Sequence, residues 1–158
     1  MMRSQKMFGA ALAISLLTLP SFGFAQAILT LTTPEQSTEF TLEELQALSQ
    51  TVVVTENDYV DPAAAFQGPL LRTILEKFEI EQGAELKMIA LNDFTSTIPA
   101  SDAFDYDVIL AVLRDGEPMT VREKGPIWVI YPMSDNPELR SDTYNDRLVW
   151  QLKEISVE

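Results

Sequence analysis

The side chains able to do chemistry in this chain are carboxylates, amides, a few cations and aromatics, because histidine and cysteine are both absent. That removes the commonest general base, thiol nucleophiles, disulfides, haem and iron–sulfur ligation and ordinary zinc sites. Asn92-Asp93-Phe94 sets an amide, a carboxylate and an aromatic ring at one point of the chain, although Asn-Asp is by its chemistry a turn pair. Arg122, Lys124, Trp128 and Tyr131 flank Gly125-Pro126. Two cations around one turn, in a chain with few of them, point to an anionic or carbonyl-bearing ligand. Arg140 and Tyr144 lie in an irregular stretch suited to a lid. Asp102, Asp105 and Asp107 form an acidic cluster whose oxygens suit a hard cation. Their spacing matches no EF-hand loop, so a solvated acidic edge is expected. Trp128 and Tyr131 are three apart in an apolar run, so a regular strand sends them to opposite faces and both cannot line one pocket. For each of them, and for Trp150, packing in the core is the competing reading.

The chain that must position these groups has 158 residues, 46% of them hydrophobic and 22% charged, enough for one compact domain and not for two. Eleven Lys and Arg against 24 Asp and Glu give a net charge of −13, the wrong sign for gripping a nucleic-acid backbone. Arg3 and Lys6 precede a largely apolar run from Met7 to Leu19, Pro20 breaks it, and Gly23-Phe24-Ala25 offers the small residues of a cleavage site. Thirteen residues of helix cover about 20 Å, short of the roughly 30 Å hydrocarbon core of a bilayer. Residues 1–25 are therefore expected to be a secretory signal peptide cleaved after Ala25, leaving residues 26–158 as an exported, periplasmic domain. Its 9 basic and 24 acidic residues give that domain a charge of −15.

Within it, short strand-like and helix-like stretches alternate. Ile28 to Leu31 is β-prone, and Thr41 followed by Glu43 and Glu44 reads as a helix start with Leu42, Leu45 and Leu48 on one face. Thr51 to Thr55 is wholly β-branched and predicts a buried strand, ended by the turn-rich Glu56 to Pro62. A loop through Phe66, Gly68 and Pro69 is expected next, then a helix with Leu70, Leu71, Ile74, Leu75 and Phe78 at helical spacing, closed by Gly83. Strands are expected at Leu86 to Leu91, Thr95 to Ile98, Val108 to Leu113, Ile127 to Tyr131 and within Leu148 to Val157, with turns at Asn92-Asp93 and Asp115-Gly116. Pro132 to Asp146 reads as loop with one helical turn. Two short helices among six or seven strands make an α+β fold.

Asp107-Val108-Ile109-Leu110-Ala111, Asp115-Gly116-Glu117-Pro118-Met119 and Gly125-Pro126-Ile127-Trp128-Val129-Ile130-Tyr131-Pro132 follow one another in this order. With Phe66-x-Gly68-x-Leu70-Leu71 before them and Trp150-Gln151-Leu152 after, the sequence resembles the sulfite-oxidase-fold family of molybdopterin-binding oxidoreductase domains. The resemblance implies a mixed β-sheet with short helices and a molybdopterin site. In the molybdenum enzymes of that family a cysteine ligates the metal from the loop that corresponds to Thr55 to Ala65, and this chain has no cysteine. Hydroxyls and amides match a soft-ligand position poorly, so bound molybdenum is not expected. Where the family's Gly-Pro strand continues into an arginine that holds the cofactor's phosphate, this chain has Trp128. The nearest cations to the last tryptophan are Arg147 and Lys153.

A pterin is a planar bicycle that needs an apolar slot for its faces and a few fixed polar groups for its edge. The resemblance implies Asn92, Asp93, Phe94, Arg122, Lys124, Trp128, Tyr131, Arg140 and Tyr144 as candidates to hold it, with Asp93 on the ring edge and Trp128 stacked on its face. It extends to small exported proteins of the same fold that bind reduced pterins without metal and regulate a membrane-bound cyclic-di-GMP enzyme. The expected function is thus a pterin-binding sensor, with no catalytic residue and no metal, read by the exported domain of a membrane signalling protein. The alternatives are a molybdopterin-dependent oxidoreductase domain and an accessory subunit.

Overall fold

The computed structural model describes residues 25–158. All of the expected leader but Ala25 lies outside them. The chain runs β1 (Ala27–Thr32), β2 (Ser37–Thr41), α1 (Leu42–Ala47), β3 (Gln50–Asn57), β4 (Val60–Pro69), α2 (Leu71–Lys77), β5 (Glu85–Ala90) and β6 (Thr95–Pro99). It continues through α3 (Ser101–Asp105), β7 (Ile109–Ala111), β8 (Leu113–Arg114), β9 (Glu117–Pro118), β10 (Trp128–Ile130), α4 (Asp142–Asn145) and β11 (Leu152–Val157). The strands form a five-stranded sheet in the order β2-β1-β11-β5-β6, a four-stranded sheet β3-β4-β8-β9 and a two-stranded ribbon β10-β7. Among the described residues, only β1 with β11 is parallel. The α+β expectation holds.

The ribbon explains the two uninterrupted apolar runs of the sequence. Side chains alternate across a strand, so an all-apolar strand has to be buried on both faces. Ile109, Ala111, Trp128 and Ile130 face a small core with Val53, Val60, Ala64, Phe66 and Met119. Leu110 and Val129 face the larger core, which also takes the inner residues of the five-stranded sheet and of α1 and α2. Tyr131, just past β10, joins this second core, as its spacing from Trp128 requires.

Local chemistry fixes the first helix: the Thr41 side chain accepts from the Glu44 backbone N–H at 3.2 Å, and the Glu44 carboxylate accepts from the Thr41 N–H at 2.8 Å. That reciprocal cap holds the Glu44 carboxyl below its ordinary value, chiefly through its backbone hydrogen bond to Thr41.

Several expectations change. The segment through Phe66, Gly68 and Pro69 is not a loop but the end of β4, paired along its length with β3 and through Phe66 and Gln67 with β8. Its two prolines and three alanines hide this strand from propensity, and pairing on both sides imposes it. The second helix starts at Leu71, after Pro69, and ends at Lys77, well before Gly83. Four short α-helices occur among the described residues, within the two or more expected: α4, of four residues, is the helical turn read in Pro132 to Asp146, and α3, of five, is new. The acidic edge is also revised: Asp105 and Asp107 are exposed, but Asp102 is buried.

Gly68 shows why the Phe-x-Gly pattern is needed. A Cβ there would lie 1.9 Å from the Leu110 carbonyl oxygen, because β4 passes directly over the β7 backbone. Gly68→Ala must push the sheet off the ribbon, and is expected to cost about 1–3 kcal/mol or more, the range for overpacking. A urea titration checks this: the midpoint should fall with the slope unchanged, and an unaltered midpoint would refute the close approach.

Candidate functional site

Two adjoining clefts open where the β3–β4 hairpin meets the segment from Met133 to Trp150. One, of about 290 Å³, is lined by Glu56, Asn57, Asp58, Val60, Asp61, Met133, Arg140 and Asn145. Its neighbour, of about 200 Å³, is more apolar and is lined by Tyr59, Ala90, Asn92, Phe94, Asn145, Asp146, Leu148, Val149 and Trp150. Asn145 belongs to both.

The walls are tied together by backbone and hydroxyl hydrogen bonds. The Ser134 N–H donates to Thr55 Oγ1 at 3.1 Å and the Ser134 hydroxyl accepts from the Glu56 N–H at 3.0 Å, clasping the end of β3 to the irregular segment. Arg140 is aimed by its Nε–H to the Met133 carbonyl at 3.1 Å and pairs with Glu56 at 3.0 Å. On the other side the Val129 N–H donates to the Val149 carbonyl and the Leu152 N–H to the Ile127 carbonyl, which zips residues 149–152 along β10.

Trp150 is held this way with one cation over it. Lys124, in the left-handed region at φ 74°, accepts from the Gln151 N–H through its carbonyl at 3.0 Å and places its ammonium 4.1 Å from the Trp150 ring centre. The same ammonium is 5.5 Å from the ring centres of Tyr59 and Trp128. A cation over an indole is attracted by the ring's negative face, so Lys124 fixes the Trp150 orientation. Tyr59 meets Trp150 edge-on at 5.0 Å, and with Phe94, which is 51% exposed, they supply the aromatic lining of the smaller cleft.

Two polar atoms in the walls are buried without a partner among the described residues: Asn57 Nδ2, a donor, and Asn145 Oδ1, an acceptor. The other end of the Asn145 amide donates to Asp58 at 2.5 Å, which fixes which way it faces. An unmet buried donor or acceptor costs about 1–3 kcal/mol. Both atoms are sealed from the cleft surface, so they mark strain in its wall and reach a ligand only if the wall shifts.

The residues singled out in the sequence separate into three groups. Asn92 and Phe94 line the smaller cleft, Arg140 lines the larger, and Lys124 supports Trp150. Asp93 does not reach the ring edge assigned to it: φ 65° turns it outward, 83% of its side chain is exposed, and it pairs with Lys153 at 2.6 Å. Arg122 is exposed and lines neither cleft. Trp128 cannot present a face to a ligand in this arrangement. It is fully buried, packs edge-on against Phe66 at 5.3 Å and donates its indole N–H to the Leu148 carbonyl at 3.1 Å. Tyr131 is equally buried, and Tyr144 packs on it at 5.6 Å as part of the core wall and not as a lid. Sequence reasoning missed Asn57, Tyr59 and Asn145; Trp150, favoured for the core, does pack half-buried against the small core and lines the cleft as well. The one available signal was an aromatic, Tyr59, inside an otherwise polar turn.

Behind the clefts lies a buried polar triad. Tyr131 donates its hydroxyl to Asp102 at 2.7 Å, and Arg147 reaches the same carboxylate oxygen at 2.5 Å. It joins α3, β10 and the segment that carries Asn145. Burial first, then the Asp102 charge, pushes the Tyr131 hydroxyl well above the ordinary tyrosine value.

Residues 28–134 match the profile of a family described as oxidoreductase molybdopterin binding domain. No curated protein matches the chain. Among solved structures, the crystal structure of the sulfane dehydrogenase SoxCD from Paracoccus pantotrophus superposes with a TM-score of 0.61 at 16% identity, over 82% of this chain. The chain spans only 37% of that protein, and at this identity the likeness concerns the fold alone.

The triad predicts an alkaline limit to stability. The Tyr131 proton is retained in the folded state and lost in the unfolded chain above about pH 10, so the folded state holds more protons there and stability falls as pH rises. Tyr131→Phe should lower stability by about 1–3 kcal/mol at neutral pH and flatten that alkaline decline. Chemical denaturation from pH 7 upward reads both, and a variant with an undiminished alkaline slope would contradict the assignment.

Proposed function

This chain belongs to the oxidoreductase molybdopterin binding domain family, and from that premise we propose that it is an exported, non-catalytic binding protein for a reduced pterin whose occupancy is read by a membrane signalling partner. The observation that carries the reading is the smaller cleft, where Tyr59, Phe94 and Trp150 gather beside the amides of Asn92 and Asn145. An aminopyrimidinone edge has a donor and an acceptor side by side, which a side-chain amide in the cleft wall can pair with. Tyr59, Phe94 and Trp150 supply the apolar slot for the ring.

The complete molybdenum cofactor fits this donor set poorly. The hairpin turn offers amides and carboxylates and no thiolate, and no group of three or more metal-binding side chains occurs among the described residues. The Asp102–Tyr131–Arg147 triad is closed on itself, and the clefts hold no nucleophile paired with a base. Their amides, carboxylates and aromatic rings are suited to binding a planar polar ligand.

A bound ligand signals only by differing in affinity between docked and free protein, and the partner must then alter pterin affinity by the same factor. The walls most exposed to a partner are the β3–β4 turn and the segment through Arg140, which also close the ligand cleft. The charge of −15 expected for the exported domain favours a basic docking surface, such as one on the exported domain of a cyclic-di-GMP enzyme, with an association that weakens in salt.

Titration of a reduced pterin, followed by tryptophan quenching, tests the site. Asn145→Ala should weaken binding by roughly tenfold or more, the equivalent of one unmet hydrogen bond, while Asp93→Ala stays within about twofold because its carboxylate lies outside the cleft. Equal affinities for both variants and the parent would place the pterin elsewhere.

A further inference from the structure

We propose that a second copy of this chain pairs with β3, edge to edge and antiparallel, about a two-fold axis at Val52; the proposal does not depend on the pterin reading. β3 is an outer strand of the four-stranded sheet, with β4 on its inner side. In an antiparallel strand every other residue turns its backbone N–H and C=O away from its neighbour. Outside the ladder with β4, no backbone hydrogen bond among the described residues reaches Gln50 to Val54. Ser134 closes the far end by accepting from the Glu56 N–H at 3.0 Å. The open stretch is therefore Gln50 to Val54, about 17 Å of strand.

Edge strands that stay single are ordinarily short, or carry a charge or a proline. The other outer strands of the two larger sheets obey that rule: β2 has Glu39, β6 ends at Pro99, and β9 is only Glu117 and Pro118. Gln50 to Thr55 has neither charge nor proline, and it exposes Val52 at 58% and Val54 at 56%. The occupant follows from symmetry and charge. An axis at Val52 matches the whole open stretch to itself and keeps outward residues on the outward face. Val52 then opposes the partner subunit's Val52, Val54 the partner subunit's Gln50, and Thr51 the partner subunit's Val53. No carboxylate meets another along this stretch, which matters for copies that each carry the expected charge of −15. Each chain has one such edge, so the pairing consumes both and closes as a dimer.

Sedimentation equilibrium of the exported protein over a range of concentrations, at low and at high salt, tests the pairing. A reversible monomer–dimer equilibrium is expected, and it should tighten in high salt as the repulsion between two acidic molecules is screened. Val52→Lys should raise the dissociation constant by at least roughly tenfold, because it sets two ammonium groups against each other at the axis. Val121→Lys, at a valine 52% exposed in a different segment, should leave it within about twofold. Both side chains face solvent, and an unchanged urea midpoint in dilute solution confirms that each variant folds. Amide hydrogen exchange between Gln50 and Val54 should slow as the parent is concentrated and stay fast in Val52→Lys. A parent that remains monomeric at every concentration in high salt overturns the proposal and leaves β3 open to a strand from another protein. A dimer unaffected by Val52→Lys, or assembly beyond two copies, overturns it as well.

Discussion

Two strands buried on both faces set the terms for this domain. The ribbon of β7 and β10 presents one row of side chains to the small core under the four-stranded sheet and the other row to the large core under the five-stranded sheet. Neither sheet touches water on its inner face, and neither can shift without opening the other core. Close packing makes such an arrangement unforgiving, because a displaced strand loses contacts on two sides at once. The approach of Gly68 to the Leu110 backbone is where that constraint is tightest.

The ribbon also positions the site. Residues 149–152 are zipped to β10 by backbone hydrogen bonds, so Trp150 stands at a height set by the core. The largely buried ion pair of Asp102 and the half-buried Arg147, with Tyr131 on the same carboxylate, anchors the stretch just after Asn145 to α3. A buried pair of this kind contributes little net stability, since desolvation offsets most of the attraction, but breaking it leaves a charge stranded. Its use here is to hold one segment in one place. The cleft walls are therefore rigid at their base and free to differ at their rim, where Tyr59, Phe94 and Arg140 reach solvent.

Much of the fold was legible because local and tertiary demands agree. Thr41 with Glu44 writes the first helix start, the β-branched run at Thr51 to Thr55 writes β3, and the apolar runs around Ile109 and Val129 declare burial on both faces. β4 was not legible, since Pro62, the alanines, Gly68 and Pro69 have no strand preference of their own, and only the pairing with β3 and β8 makes a strand of them. The turn chemistry of Asn92-Asp93 prevailed over its binding reading for Asp93 but left Asn92 and Phe94 beside the cleft. Asn57 and Asn145 are far apart in sequence and sit in turn-rich segments, where a polar amide carries no signal until folding buries it. The position of Trp128 three residues before Tyr131 did predict their separation into two cores. It did not reveal that the half-buried indole lining the cleft would be Trp150.

We propose that this cleft holds a metal-free pterin in place of the molybdenum cofactor. The most direct measurement is to isolate the protein from the cells that export it and identify the small molecule released on denaturation by mass spectrometry, quantifying molybdenum in the same sample. A metal-free pterin is expected, with molybdenum far below the amount of protein. Molybdenum matching the protein one for one, with a phosphate-bearing dithiolene pterin, would contradict it.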